Sequence, residues 1–269
     1  MTESLTPKRV LITGAAGTVG SVLRAGLESR YELLRLLDIA PLGEAGAREE
    51  VVYADILDDH HLDAAMAGID CVVHLAGVAQ ESSWERILSL TIDGCFRVFE
   101  AARRAGVKRI VYASSNHAVG FYPRSQVIGT DVSLRPDGRY GVSKAFGEAL
   151  GRMYADKHGI SVACVRIGSF RPQPEDRRQL LTWISHRDTV QLFQRCIEHP
   201  GFDFCVVYGV SNNERELWDN SAVAWLGYEP KDNAEDYADE ILSRPDDEDE
   251  VARDLHGGSF CSLEFTAGR

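Results

Sequence analysis

Tyr140 and Lys144 stand four residues apart in the stretch RYGVSKAFGE, residues 139–148. On a helix that spacing puts both side chains on one face. A free phenol titrates near pH 10, so at neutral pH about one in a thousand is ionised. A lysine ammonium one turn away stabilises the phenolate and makes the pair a candidate proton acceptor. A downward shift of about three units would correspond to roughly 4 kcal/mol. A second polar group sits upstream, where Ser115, Asn116 and His117 follow the apolar run RIVY in RIVYASSNHAVG. A hydroxyl, an amide and an imidazole at a strand end could form a hydrolytic centre, a metal site or a sugar-binding edge. A serine hydrolase carries its nucleophile in a GxSxG elbow, and Ser115 has no glycine at those positions. His117 is also too close in sequence to Ser115 for the triad role. His60, His61, His74 and His117 do not supply three ligands at zinc spacing. No metal is expected.

A third motif says what these groups act beside. Gly14, Gly17 and Gly20 occur as GxxGxxG in TGAAGTVG, after the apolar run KRVLI and before a helical pattern through Leu23 and Leu27. In that context the first glycine allows a tight turn, the second lets backbone approach a pyrophosphate, and the third allows close helix–sheet packing. The diphosphate then meets free N–H groups at a helix N-terminus. Asp38 ends the second apolar run, eighteen residues beyond Gly20, with no arginine directly after it. A carboxylate there accepts from ribose hydroxyls and repels a 2′-phosphate, which favours NAD over NADP. Asp55 and Ile56 end the third run and are placed near the adenine, with a capping or turn role as the plain alternative for Asp55. The positive ring of an oxidised nicotinamide would add to Lys144 in stabilising a Tyr140 phenolate.

The elements that position these residues follow from the apolar runs. They lie at Lys8–Thr13, Glu32–Leu37, EEVVYADI, DCVVHLAG, VKRIVYASS and ISVACVRIGS, with helical patterns at about 59–67, 83–105 and 139–158 between them. Strands alternating with helices, each strand a continuous apolar run, predict an α/β fold with a doubly wound parallel sheet of Rossmann type. After Ser169 the pattern loosens, leaving one strand candidate, FCVVYGV, and a helix around 234–243. The 269 residues, 44% hydrophobic, suit a single domain, with a nucleotide-binding core over 8–168 and a mainly substrate-binding and C-terminal segment over 169–269. A net charge of −12 argues against nucleic acid or an anionic membrane as partner. It also means that an anionic substrate would need specific arginines, and Arg171, Arg177 and Arg178 cluster beyond Ser169. One of these would serve as a carboxylate clamp. Asp246–Glu250 reads as a solvated acidic loop. Six cysteines without CxxC spacing read as reduced core thiols, and no signal-peptide pattern or membrane span is present, so a cytoplasmic protein is expected.

Together TGAAGTVG, HLAG, ASS and YGVSK resemble the extended short-chain dehydrogenase/reductase family, which includes nucleotide-sugar epimerases and dehydratases, over essentially the whole chain. The segments SSNHAVGFYP, RPDGRYGVSKAFGE, VRIGS, LLTWISHRD and WDN are similar to those of its uronate dehydrogenase branch. That resemblance implies oxidation of D-galacturonate or D-glucuronate at C1 with NAD, giving an aldarolactone. It implies Tyr140 as the base, Lys144 as its partner and Ser115 as the hydrogen-bonding serine. Asn116, His117, Ser169 and Arg178 become substrate contacts. The cofactor contacts it implies extend to Thr18, Val19, Ile39, Leu75, Ala76, Gly77, Val78 and Ile167. One departure is Ala79, where a hydroxyl-bearing substrate contact is expected; contact there would come through backbone, or from Ser82 or Ser83. The resemblance also implies a homo-oligomer paired through the long helices. Two other functions fit the fold: a UDP-hexose epimerase or dehydratase with tightly held NAD, and a non-catalytic NAD-sensing regulator.

Overall fold

A computed structural model describes residues 7–267. The first strand, β1 (Arg9–Thr13), leads through the glycine-rich turn into α1 (Thr18–Leu27), then β2 (Leu33–Asp38) and β3 (Glu49–Tyr53). Next come α2 (Asp59–Met66), β4 (Cys71–His74) and a long helical stretch. That stretch is α3 (Trp84–Arg86), a π-helical segment (Ile87–Asp93) and α4 (Gly94–Arg104). β5 (Arg109–Ser115), the short β6 (Ile128–Gly129), α5 (Arg139–His158) and β7 (Ser161–Ile167) follow. Beyond them lie β8 (Ser169–Phe170), α6 (Gln179–Thr182), β9 (Trp183–Ile184), α7 (His186–Glu198), β10 (Phe204–Gly209) and β11 (Trp218–Asp219). The remaining α-helices are α8 (Ala238–Leu242), α9 (Glu250–Asp254) and α10 (Ser259–Ser262).

Seven strands form one parallel sheet in the order β10-β7-β5-β4-β1-β2-β3. The chain winds outward from β1 in one direction and from β4 in the other, so the strand order switches between them. Ligands of open parallel sheets bind at the carboxyl ends of the strands beside such a switch. The strands are mainly apolar, without the alternation of a half-exposed sheet, because both faces are covered. On one face Leu11, Val72, Ile110 and Val162 pack with Phe99 and Tyr154. On the other Val10, Ile12, Val73, Val111 and Val165 pack with Leu23, Leu27, Leu192 and Phe193.

The expected doubly wound sheet is present, with differences at the edges of the pattern. The third run ends as a strand at Tyr53, and the next amide, Ala54 N, donates to the Asp38 carbonyl. The loosely patterned tail holds a full helix, α7, that buries Leu192, Phe193, Cys196 and Ile197. The helix expected around 234–243 is a 3₁₀ turn (Ala234–Tyr237) followed by α8. The acidic run is mostly exposed, but Glu248 pairs with Arg124 at 2.6 Å. All six cysteines are buried and unpaired. Among the described residues no helix is long and apolar enough to cross a membrane.

One buried polar network ties α5 to the sheet. Glu148 Oε1 and Oε2 each accept from Arg166 at 2.9 Å, and Glu148 Oε1 also accepts from Ser114 Oγ at 2.6 Å. Arg166 Nη1 reaches the Tyr208 hydroxyl at 3.0 Å, and that hydroxyl donates to the Gly129 carbonyl. Ser114 is thus structural. Removing one partner of a buried pair leaves a charge uncompensated. Glu148→Ala is expected to lower the unfolding free energy by about 3–5 kcal/mol. Denaturant titration checks this, and a loss below about 1 kcal/mol, the value of an exposed pair, would count against a buried network.

Candidate active site

A cavity of about 760 Å³ runs along the carboxyl ends of the strands, from Asp38 and Ile39 at one end to Ser169 and Arg178 at the other. Its volume lies in the range of sites that enclose small molecules. Every residue singled out from the sequence as a contact lines it: Gly14, Gly17, Thr18, Val19, Gly20, Asp38, Ile39, Asp55, Ile56, Leu75, Ala76, Gly77, Val78, Ala79, Ser115, Asn116, His117, Tyr140, Lys144, Ile167, Ser169 and Arg178.

At the first end Gly14 has φ +74°, and a Cβ there would sit 2.7 Å from Ala76 N. A side chain would fill the space between the turn and the loop after β4, so the cradle fits a group that needs close backbone approach. Asp38 Oδ2 accepts from Ala16 N and Oδ1 from Ala40 N, both at 2.9 Å. The carboxylate therefore braces the loop, and each oxygen keeps a further lone pair. Asp55 is exposed and accepts from Leu57 N at 3.0 Å, so a turn role accompanies its place in the cavity wall. The loop after β4 is held by Thr91, whose Oγ1 accepts from Val78 N at 3.1 Å. Thr91 lies in the π-helical segment, a geometry frequent at functional sites.

In the middle, β5 delivers Ser115 and α5 delivers Tyr140 and Lys144, all buried. Burial pushes the Tyr140 phenol up to about 12, opposed by a hydrogen bond with Ser115. Burial also pushes Lys144 down to about 8. Lys144 Nζ donates to the Ala113 carbonyl at 2.8 Å and lies 5.5 Å from the centre of the Tyr140 ring. The expected lowering of the phenol by Lys144 is thus not produced by the protein alone. The ammonium is committed to a carbonyl, and loss of hydration dominates. Glu81, which nothing in the sequence marked, accepts from Tyr140 N at 2.9 Å and Arg139 N at 3.2 Å, placing a carboxylate at the N-terminus of α5.

At the far end Arg178 is gripped on three sides. Its Nε donates to the His256 carbonyl at 2.9 Å and its Nη1 to Ser169 Oγ at 3.3 Å. Asn116, with its amide oriented to satisfy both neighbours, accepts from Arg178 Nη2 at 2.8 Å and donates to the Ile167 carbonyl at 3.0 Å. A guanidinium has five N–H donors, so one on each terminal nitrogen stays unclaimed. Such a pair suits a carboxylate. Asn116, which lines the cavity, thus spends its amide oxygen and one amide N–H on holding Arg178 and β7. The other two clustered arginines separate: Arg177 bonds the Leu242 and Arg244 carbonyls, and Arg171 is exposed at the rim. Ala79 lines the cavity, but Ser82 and Ser83 do not.

His117 also faces the cavity. Its Nδ1 lies 2.6 Å from Asp137 Oδ2, and its ring stacks on Phe260 at 3.9 Å between centroids. Asp137, Phe260, Glu81 and Thr91 were not anticipated. They act through contacts far apart in sequence, and only the placement of Asp137 three residues before Tyr140 hinted at any of them. Among the described residues no cluster of His, Cys, Asp or Glu could hold a metal ion.

Residues 10–216 match the model of the NAD dependent epimerase/dehydratase family. The chain is 47% identical over 256 residues to a uronate dehydrogenase of Agrobacterium fabrum, covering 94% of this chain and 96% of that one. It is 43% identical over 254 residues to a uronate dehydrogenase of Pseudomonas putida, covering 94% and 95%. The crystal structure of uronate dehydrogenase from Agrobacterium tumefaciens superposes with a TM-score of 0.91 at 46% identity, covering 95% of this chain and 97% of that one. A tyrosine-to-alanine mutant of that enzyme, complexed with NAD, matches equally well. With the glycine cradle, the switch-point cavity and the Ser115–Tyr140–Lys144 cluster in place, the chain belongs to the NAD dependent epimerase/dehydratase family and, within it, to the uronate dehydrogenases.

Proposed function

We propose that this protein oxidises a hexuronic acid, D-galacturonate or D-glucuronate, at C1 with NAD, and releases the aldarolactone. The observation that carries the reading is Arg178. An arginine with two free N–H donors lies in the same cavity as the Ser115–Tyr140–Lys144 cluster, inside a protein of net charge −12. A carboxylate at one end of a sugar would sit on Arg178 while the hydroxyl at its other end meets Tyr140 and Ser115. The glycine-rich turn and Asp38 would hold the diphosphate and ribose, with Ile39, Ile56 and the loop Leu75–Val78 against the rest of the cofactor.

Bound NAD supplies the hydride acceptor and a positive ring. Tyr140 takes the proton of the C1 hydroxyl, and Ser115 orients that hydroxyl and hydrogen-bonds the forming carbonyl oxygen. Lys144 holds positive charge beside the phenol ring. Because the sugar ring stays closed, the product is a lactone. Asn116 and Ser169 keep Arg178 aimed at the carboxylate. The exposed apolar side chains Trp84, Leu88, Phe96, Val142 and Met153 on the long helices support pairing into a homo-oligomer through those faces. The reduced cysteines support a cytoplasmic location.

Purified protein mixed with D-galacturonate or D-glucuronate and NAD is expected to form NADH, read by absorbance. No NADH with any uronic acid would sink the proposal, and interconversion of UDP-hexoses without net NADH would point to the epimerases instead. Tyr140→Phe should lower kcat by about 10²–10⁴-fold while NAD still binds. Because burial holds the phenol at about 12, its ionised fraction grows as pH rises. Wild-type kcat should therefore climb with pH on the acid side, and a fully active Phe variant would contradict Tyr140 as base. Arg178→Ala should raise KM for uronate about 10–100-fold, the value of hydrogen bonds to a charged group. Arg178→Lys should restore only part of this, since an ammonium cannot form the two-pronged contact. An equal effect on oxidation of a neutral aldose would rule out a carboxylate clamp.

A further inference from the structure

We infer that Asp137 is a positioning residue that fixes His117 as the neutral, Nδ1-protonated tautomer, so that His117 reads a sugar hydroxyl as a hydrogen-bond acceptor. An ionised carboxylate can only accept, so the 2.6 Å contact between Asp137 Oδ2 and His117 Nδ1 places the proton on Nδ1. The opposite nitrogen, Nε2, has no protein partner among the described residues, and the ring lines the cavity. Two aromatic rings pack against the imidazole and hold its plane. Phe260 covers one face, 3.9 Å away and nearly parallel, and Tyr140 meets the ring edge-on at 5.7 Å.

The chain makes room for this carboxylate in an unusual way. The Asp137 side chain has no solvent exposure. A methyl group placed at Gly120 or at Gly257 would overlap its Oδ2. Two glycines from distant parts of the chain thus open the space that the carboxylate fills. Its other oxygen, Oδ1, has no hydrogen-bond partner. An aspartate kept buried with one oxygen unpaired costs stability, and its one hydrogen-bonded oxygen is the one that meets His117. Burial also lowers the basicity of His117, outweighing Asp137, and Arg178 nearby acts in the same direction. The ring is therefore neutral with Nε2 bare, and it complements Arg178, which offers only donors. Asp137 thereby makes the sugar pocket carry one acceptor for a hydroxyl beside a donor pair for the anion.

The kinetic half of the test rests on the proposed uronate oxidation; the spectroscopic half does not. Long-range proton–nitrogen NMR of protein labelled in its eight histidines, with His117 assigned from a His117→Gln variant, should show Nδ1 protonated and Nε2 bare. In Asp137→Asn the two nitrogens should exchange character or mix, because the amide can offer an N–H to Nδ1. In steady-state kinetics Asp137→Asn should raise KM for uronate about tenfold, the value of one hydrogen bond made in ground and transition state alike, with kcat and KM for NAD within about twofold. In a His117→Ala background the same change should add nothing. Nε2 protonated in the wild type would overturn the inference, as would a loss on Asp137→Asn that persists in full without His117. Should Asp137→Asn fail to fold, the wild-type spectrum still decides. Absence of NADH from every uronate would refute the function and leave the tautomer readable.

Discussion

The bidentate ion pair of Glu148 with Arg166 is the interaction on which the rest of the site depends. Glu148 lies about two turns along α5 from Tyr140, and Arg166 lies one residue before Ile167 at the cavity wall. The same carboxylate accepts from Ser114, the neighbour of Ser115. One buried anion therefore fixes the helix that carries the candidate base against the strand that carries the candidate serine. Two parallel N–H···O bonds restrict rotation and sliding together, which a single contact does not. Gly147 lets α5 approach until Tyr112 occupies the space a side chain would need. Glu81 holds the other end of the helix from the loop that carries Ala79. Tyr140 is thus clamped at its backbone amide and, further along, through Glu148. Its phenol is left as the part that responds to what binds.

Electrostatics in the cavity follow from burial more than from pairing. Tyr140 is harder to ionise than a free phenol, and Lys144 is easier to deprotonate than a free amine. Both shifts favour neutral forms in a region poor in water. A cation arriving between the cavity walls would reverse the penalty on the phenol, so the candidate base would gain its strength only once the site is filled. At the far end the same loss of water sharpens Arg178. Its guanidinium is held by neutral acceptors, a carbonyl, a hydroxyl and an amide. None of these cancels its charge, which stays available to an anion.

The sequence was most informative where the determinants are local. The turn between β1 and α1, Asp38 at a strand end, and Tyr140 with Lys144 on one helix face each lie within a short window whose spacing carries the geometry. The parallel sheet was equally legible, because strands covered on both faces are mainly apolar without alternation. Legibility failed where a residue's role is set by a partner far along the chain. That Asn116 also braces Arg178 is invisible until Arg178 and Ile167 are seen on either side of it. Phe260 has no periodicity or motif to mark it, Asp137 has only its nearness to Tyr140, and only the folded chain brings them to His117. Helix α7 was overlooked because its polar face, with His186, Arg187, Gln191, Gln194 and Arg195, interrupts the apolar pattern that marks the earlier elements.

The wall around Arg178 and His117 has its own architecture. His256 supplies a carbonyl to Arg178, Phe260 covers His117, Glu248 pairs with Arg124, and Glu264 pairs with Arg139. All four come from one short segment far downstream of the glycine-rich turn, and none belongs to the seven-stranded sheet. The supports behind Arg178 and His117 thus come from a segment apart from the glycine-rich turn, although Asn116 and His117 themselves follow directly on Ser115. Changes within residues 248–264 would therefore reach Arg178 and His117 through their supports, while leaving the glycine-rich turn and Asp38 untouched.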